Sequence, residues 1–183
     1  MNVTKLSESG YEEAMLGISL SWASNPERAK EIAPRLAHKQ GGHNKFMESI
    51  IVWLDITAPR YWWQEFDTYR LATKQSGSTM HTLVKKHVTQ DDFEHLINEH
   101  HIEYLNRLID LYNMEKSHDL FMQLKANLPE GYLQRRIVCL SYKTLQNMYH
   151  QRKNHRLPEW RTFFAVELDH PEFIVEKIGN DSE

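Results

Sequence analysis

Residues 50–56 read IIVWLDI, a β-branched and aromatic run of the kind that a buried strand accommodates. Thr57-Ala58-Pro59 turns this run directly into an aromatic block, RYWWQEFDTY, at 60–69. The pair predicts a strand followed at once by a helix, with Thr57 as cap and Pro59 near the first turn. On that helix Trp62, Phe66 and Tyr69 share one face, and Arg60, Gln64 and Asp67 share another. Aromatic stripes at this spacing are most often core. Arg60, Glu65, Arg70, Ser78 and His81 are polar groups beside so much apolar surface that they need partners, whether one another, a second subunit or a ligand.

The run Ser76-Gly77-Ser78-Thr79 breaks the helix and supplies hydroxyls and approachable backbone N–H groups, which suit a phosphate. Its neighbours are not strongly basic. The 183 residues carry 22 Lys and Arg against 25 Asp and Glu, a formal charge of −3, so no global field draws the chain to duplex nucleic acid. Basic residues gather only locally, at Lys85-Lys86-His87, Arg135-Arg136 and residues 151–156, where solvated helix ends are the simpler reading.

A hydrophobic share of 40% supports a core in one domain spanning 1–183, with a tail that frays from about residue 179. Cys139 is the sole cysteine, which excludes an internal disulfide and fits a reducing cytoplasm. Its setting, IVCL, reads as a packed small hydrophobe and not a nucleophile. No apolar run approaches the roughly 20 residues that span a bilayer, and none at the N-terminus resembles a signal peptide, so a soluble protein away from the membrane is expected.

Asn25-Pro26-Glu27 opens a helix that ends before Gly41-Gly42. Asp91-Asp92 opens a longer one, on which Phe93, Ile97, Tyr104, Leu108 and Leu111 recur at helical spacing with His100. Leu128-Pro129-Glu130-Gly131 stops it. RRIVCLSY at 135–142 then reads as a second strand, followed by a helix over 143–153 and another after Leu157-Pro158.

Among eleven histidines, His95, His100, Glu99 and Glu103 are expected close together on one helix, but not at HExxH spacing. Adjacent helical residues diverge by about 100°, so His100 and His101 do not converge on one ion, and no metal site is predicted. Ser78 and His81 lack the GxSxG elbow and an orienting acid. Neither GxxxxGK[ST] nor GxGxxG occurs.

From Gly42 to Arg161 the order of these elements resembles the flavin-dependent thymidylate synthase (ThyX) family. His43 and Glu48 match its histidine and acid before a strand, and Ala58-Pro59 leads into its motif helix. Against the pattern RHRxxSxNExSxRY the chain keeps Arg70, a hydroxyl at Thr73, an amide at Gln75 and Ser78. Thr68 and Tyr69 replace the first Arg and the His, Ser76 the acid and Met80 the final Arg. Residues 141–145, SYKTL, fall where the family has NaRsL, and Glu159-Trp160-Arg161 where it has EIR.

The resemblance implies an α+β fold, a small sheet flanked by long helices, assembled as a homotetramer with FAD and dUMP at subunit boundaries. It implies methylation or other modification at C5 of a pyrimidine deoxynucleotide. Reduced FAD supplies hydride, methylenetetrahydrofolate the carbon, and NADPH the flavin's electrons. By resemblance His43, Arg70, Thr73 and Gln75 are cofactor-binding, while Glu65, Ser78, Thr79, Lys143 and Arg161 are substrate-binding. The four replaced motif positions keep two alternatives open: a nucleotide-binding protein without catalysis, and an assembly protein whose aromatic surface serves contacts.

Overall fold

The computed structural model describes every residue except Ser24, Gln40 and 176–183, and leaves aside the side chains of Trp22 and Ala23. The expected frayed tail lies outside the described residues. In chain order the elements are β1 (Asn2–Ser9), α1 (Tyr11–Ile18), a π-helical turn (Ser19–Ala23), α2 (Pro26–Ala37), a 3-10 turn (Lys45–Glu48), β2 (Ile51–Pro59), α3 (Arg60–Phe66), β3 (Ala72–Ser76) and α4 (Thr79–Thr82). They continue with a 3-10 turn (Gln90–Asp92), α5 (Glu99–Glu115), α6 (His118–Asn127), β4 (Leu133–Ser141), α7 (Tyr142–Arg152), α8 (Glu159–Phe164) and a last 3-10 turn (Pro171–Phe173).

The architecture is α+β, with one four-stranded sheet in the order β1-β2-β4-β3. Arg60 N–H donates to Tyr132 O at one end of the β2–β4 pair and Tyr142 N–H to Ile50 O at the other, which fixes an antiparallel register. Val52, Leu54, Ile56 and Ala58 are all fully buried while Ile51, Trp53, Asp55 and Thr57, which alternate with them along β2, are half-exposed. The strand therefore buries one face and not both, as antiparallel strands do.

The chain separates into two compact units. One comprises Met1–Asn2, Ile56–Thr68 and Gln75–Arg136; the other comprises Val3–Asp55, Tyr69–Lys74 and the chain from Ile137. In the first, α5 and α6 form a helical hairpin closed over Leu83, Val88, Phe93, Leu105, Leu108, Ile109, Leu124 and Leu128. Arg136 forks onto Asp67 at 2.9 and 3.0 Å, and its guanidinium lies 4.3 Å from the ring centre of Trp63. This arginine of the Arg135-Arg136 cluster is thus committed to the fold.

Several element boundaries depart from the sequence reading. Thr57 does not cap a helix: it belongs to β2, and α3 begins only at Arg60, because the ladder to β4 holds the backbone extended through Pro59. The helix ends at Phe66, so Tyr69 is buried from the following segment and not from a helical face. Asp91-Asp92 closes a 3-10 turn, with Asp92 completing a capping box on Thr89, and does not open the long helix. Phe93 is instead drawn into a β-bridge with Tyr132, and α5 starts at Glu99, capped by Asn98. Asn25 behaves as its sequence predicts, accepting from Arg28 N–H at 2.8 Å.

In the second unit a polar latch ties β1 to α7. Tyr142 Oη donates to Glu8 Oε2 at 2.5 Å and accepts from His170 N–H at 3.2 Å, while Lys5 pairs with Glu8 and Asp169. Burial, followed by the bond to Glu8, pushes the Tyr142 hydroxyl's pKa upward, so it remains a donor. Tyr142→Phe strips a nearly buried carboxylate of that donor and is expected to cost about 1–3 kcal/mol, read by urea unfolding. An unchanged midpoint would refute the latch.

Candidate functional site

The second unit contains a cleft of about 440 Å³. Its walls come from Glu48, the segment Arg70–Thr73 leading into β3, the end of β4 at Cys139–Ser141, and Lys143 and Thr144 of α7. The loop before β3 is held to α7 by Thr144 Oγ1, which donates to Leu71 O at 3.3 Å. Ser141 caps α7 through its hydroxyl, which accepts from Thr144 N–H at 3.2 Å. With Tyr142 N–H given to Ile50 O, the terminal amides of α7 are largely spent. The capacity to hold an anion in this cleft therefore rests on side chains.

Arg70 is exposed and Lys143 half-exposed, and neither forms a side-chain hydrogen bond or ion pair among the described residues. Other cations of the chain are spent on the fold. Arg60 pairs with Glu130, Lys86 with Asp92, Arg136 with Asp67, and Arg152 donates to Tyr69 Oη at 3.0 Å. With Glu48 as the one acid on its wall, the cleft carries two cations against one anion. Leu71, 81% exposed, adds an apolar lip. Cys139 is half-buried on the floor, and burial pushes its thiol's pKa up, which keeps it neutral and a poor nucleophile.

A second concavity in the same unit, of about 500 Å³, lies against α1 and the 3-10 turn at Lys45–Glu48. Its lining includes His43, Glu13, Ile18 and Phe46, and Glu48 again. Glu48 thus borders both spaces. The structure brings Arg70, Thr73 and Lys143 around one cleft, and His43 lines the second concavity, which shares Glu48 with it. Glu48 was legible only as the partner of His43 in the resemblance, and Cys139 and Leu71 carried no sequence signal of facing a cleft.

The other expected site residues do not line that cleft. Arg161 is exposed on α8 of the same unit. Gln75, Glu65, Ser78 and Thr79 belong to the first unit. Gln75 is exposed on β3 and Glu65 half-buried on α3, while Ser78 precedes α4. Thr79 accepts from Lys125 Nζ at 2.6 Å.

Two of the replaced motif positions are structural. Thr68 Oγ1 donates to Glu65 O at 2.7 Å, closing α3. Tyr69 is buried, donates to Gln151 Oε1 at 3.0 Å and packs edge-on to Trp160 with ring centres 6.1 Å apart. Arg152 lies over both rings, 5.7 Å from Tyr69 and 5.2 Å from Trp160. Met80 is 54% exposed. The expected histidine-rich helix surface is divided, because α5 begins at Glu99: His95 lies ahead of it and meets Tyr61 Oη at 3.2 Å, while on α5 His100 meets Glu103 at 3.2 Å. No helix among the described residues is long and apolar enough to cross a membrane.

No protein-family model matches the chain, and no curated protein matches its sequence. Solved structures do. A flavin-dependent thymidylate synthase ThyX from Helicobacter pylori, complexed with FAD and dUMP, superposes with a TM-score of 0.77 at 18% identity, covering 96% of this chain and 98% of that one. A second structure of Helicobacter pylori ThyX with FAD and dUMP gives 0.78 at the same identity and coverage. Across nearly its whole length, this chain has the fold of a flavin-dependent thymidylate synthase ThyX.

Proposed function

We propose that the protein is a divergent ThyX-like flavoenzyme that methylates or otherwise modifies C5 of a pyrimidine deoxynucleotide such as dUMP. The observation that carries this reading is the pair of unpartnered cations, Arg70 and Lys143, in one cleft of a chain folded like proteins solved with FAD and dUMP. A phosphate needs unpaired cations, and these two have no competing acid bond. The residues present therefore fit the anionic part of either ligand. Leu71 and the neutral Cys139 suit a less polar part beside it.

In this reading Arg70 and Thr73 receive cofactor phosphate and Lys143 the nucleotide, while Glu48 accepts a hydrogen bond from a ring N–H. His43, Gln75, Glu65, Ser78, Thr79 and Arg161 complete the sites by resemblance. Bound FAD would supply hydride, with methylenetetrahydrofolate as carbon donor and NADPH as reductant. A homotetramer working in the cytoplasm completes the proposal. The test is the visible absorption spectrum of the purified protein after addition of FAD, then dUMP, each followed by gel filtration. A retained flavin spectrum perturbed by dUMP is expected, and a colourless protein after both additions rejects the flavoenzyme.

A second reading, a nucleotide-binding protein without catalysis, draws on the commitment of Thr68 and Tyr69 to packing. Side chains spent on the fold are not available to a flavin. Nucleotide-dependent turnover would exclude it.

A further inference from the structure

We propose that Thr144 is a positioning residue whose hydroxyl ties the loop carrying Arg70 to α7, the helix that bears Lys143, and so fixes where the cleft presents its two cations. All of these residues belong to the second unit. Arg70 is exposed and has no side-chain bond of its own among the described residues. Its place is therefore set by the backbone on either side of it.

Both sides are anchored to α7. Before Arg70, the buried Tyr69 donates to Gln151 Oε1 at 3.0 Å and accepts from Arg152 Nε–H at 3.0 Å. After it, Leu71 O accepts from Thr144 Oγ1 at 3.3 Å. Thr144 and Gln151 stand two helical turns apart and so share one face of α7. Tyr69 is gripped by a packed ring as well as by its hydroxyl, whereas at the Leu71 end the hydroxyl of Thr144 is the tie.

The direction of that hydroxyl is determined. Thr144 has one O–H proton, and it goes to Leu71 O. Ser141 Oγ, 3.2 Å from Thr144 Oγ1, therefore donates to it, and accepts in turn from Thr144 N–H at 3.2 Å. Thr144 is buried, so water does not compete for its proton. Valine in its place keeps the bulk and the backbone cap on α7 and removes the tie to Leu71. Leu71 is exposed, so water can satisfy the released carbonyl, and the loss falls on the order of the loop more than on folding. That Arg70 meets cofactor phosphate rests on the flavoenzyme reading; the tie between Thr144 and Leu71 does not.

The first measurement needs no ligand. Trypsin cuts the full-length protein after Arg70 when the loop opens, so the cleavage rate follows the open population. Thr144→Val should speed cleavage of the Arg70–Leu71 bond about three- to tenfold, the factor one lost hydrogen bond gives, and Thr144→Ser should keep the parent's rate. Cleavage after Lys85 and Arg156, both exposed, should not change. The second measurement is calorimetric titration. FAD should bind Thr144→Val about three- to tenfold more weakly, with dUMP unchanged and FAD affinity restored in Thr144→Ser. In an Arg70→Ala background Thr144→Val should weaken FAD no further, because its effect passes through that arginine. Equal cleavage after Arg70 in parent and Thr144→Val overturns the proposal, and faster cleavage at all three sites alike does so too, since it marks a merely structural role. Unchanged FAD affinity in Thr144→Val, or equal losses for FAD and dUMP, also overturns it. A parent protein that binds no FAD rejects the flavoenzyme, and the cleavage rates still decide whether Thr144 holds Arg70.

Discussion

Arg70→Ala combined with Lys143→Ala should weaken binding of two phosphorylated ligands, the cofactor held by Arg70 and the nucleotide held by Lys143, by about one to two orders of magnitude each, with an unchanged unfolding midpoint. Each cation can give its own ligand a charged hydrogen bond worth about 1.5–3 kcal/mol, and each 1.4 kcal/mol is a decade in affinity. Stability is spared because neither side chain has a hydrogen bond or ion pair to lose among the described residues. Each single variant should lose about tenfold or more, and the loss should shrink as salt rises, since both groups are solvent-accessible.

Calorimetric titration of FAD and of dUMP into the double variant tells whether each ligand has its phosphate there. The ligand bound in the cleft loses affinity and the one bound elsewhere keeps it. If both bind as tightly as before, the cleft is not a phosphate site. If either single variant unfolds, that residue belongs to a structural network. Arg136→Met makes the contrast, because its guanidinium is already shared between Asp67 and Trp63.

The elements legible in the sequence were those whose signals are local. Asn25-Pro26 marks a helix start through a cap and a fixed φ, both of which operate without tertiary help. Likewise Leu133–Ser141 is marked by its β-branched run, read two residues late at its start, and the helix after it is read one residue late. β1 and β3 were not read from their sequences, NVTKLSES and ATKQS. These are the outer strands of the sheet, polar enough to pass for loops, and only pairing to a neighbour makes them strands. The misplaced helix start at Asp91-Asp92 has the same origin. Its acids suit a helix N-terminus, but the bridge from Phe93 to Tyr132 overrides that preference.

The site was legible only as far as motif order reached. Arg70 and Lys143 are distant in sequence and have no spacing rule to join them, so only the resemblance placed them together.

The backbone beneath Glu48 supplies the other large effect. Gly10 has φ +90°, and a Cβ built on it would lie 2.1 Å from Ser49 O and 3.1 Å from Ser49 C. These are backbone atoms and cannot swing aside. Gly10 O also accepts from Ala14 N–H at 3.0 Å, so the glycine starts α1 while passing against the residue after Glu48. Gly10→Ala incurs a left-handed φ, costing about 1–3 kcal/mol, together with overpacking of about 1–3 kcal/mol. The expected loss of stability is therefore about 2–6 kcal/mol, a large part of a domain's total. Gly42→Ala provides the control. Its φ is +86°, but a Cβ there meets nothing within 4 Å, so only the conformational cost of about 1–2 kcal/mol remains. Urea unfolding of the two variants separates the effects. Equal destabilisation would mean that the approach of Gly10 to Ser49 does not constrain the fold. A much larger loss in Gly10→Ala would identify that approach as what holds Ser49, and with it the Glu48 backbone between the two clefts.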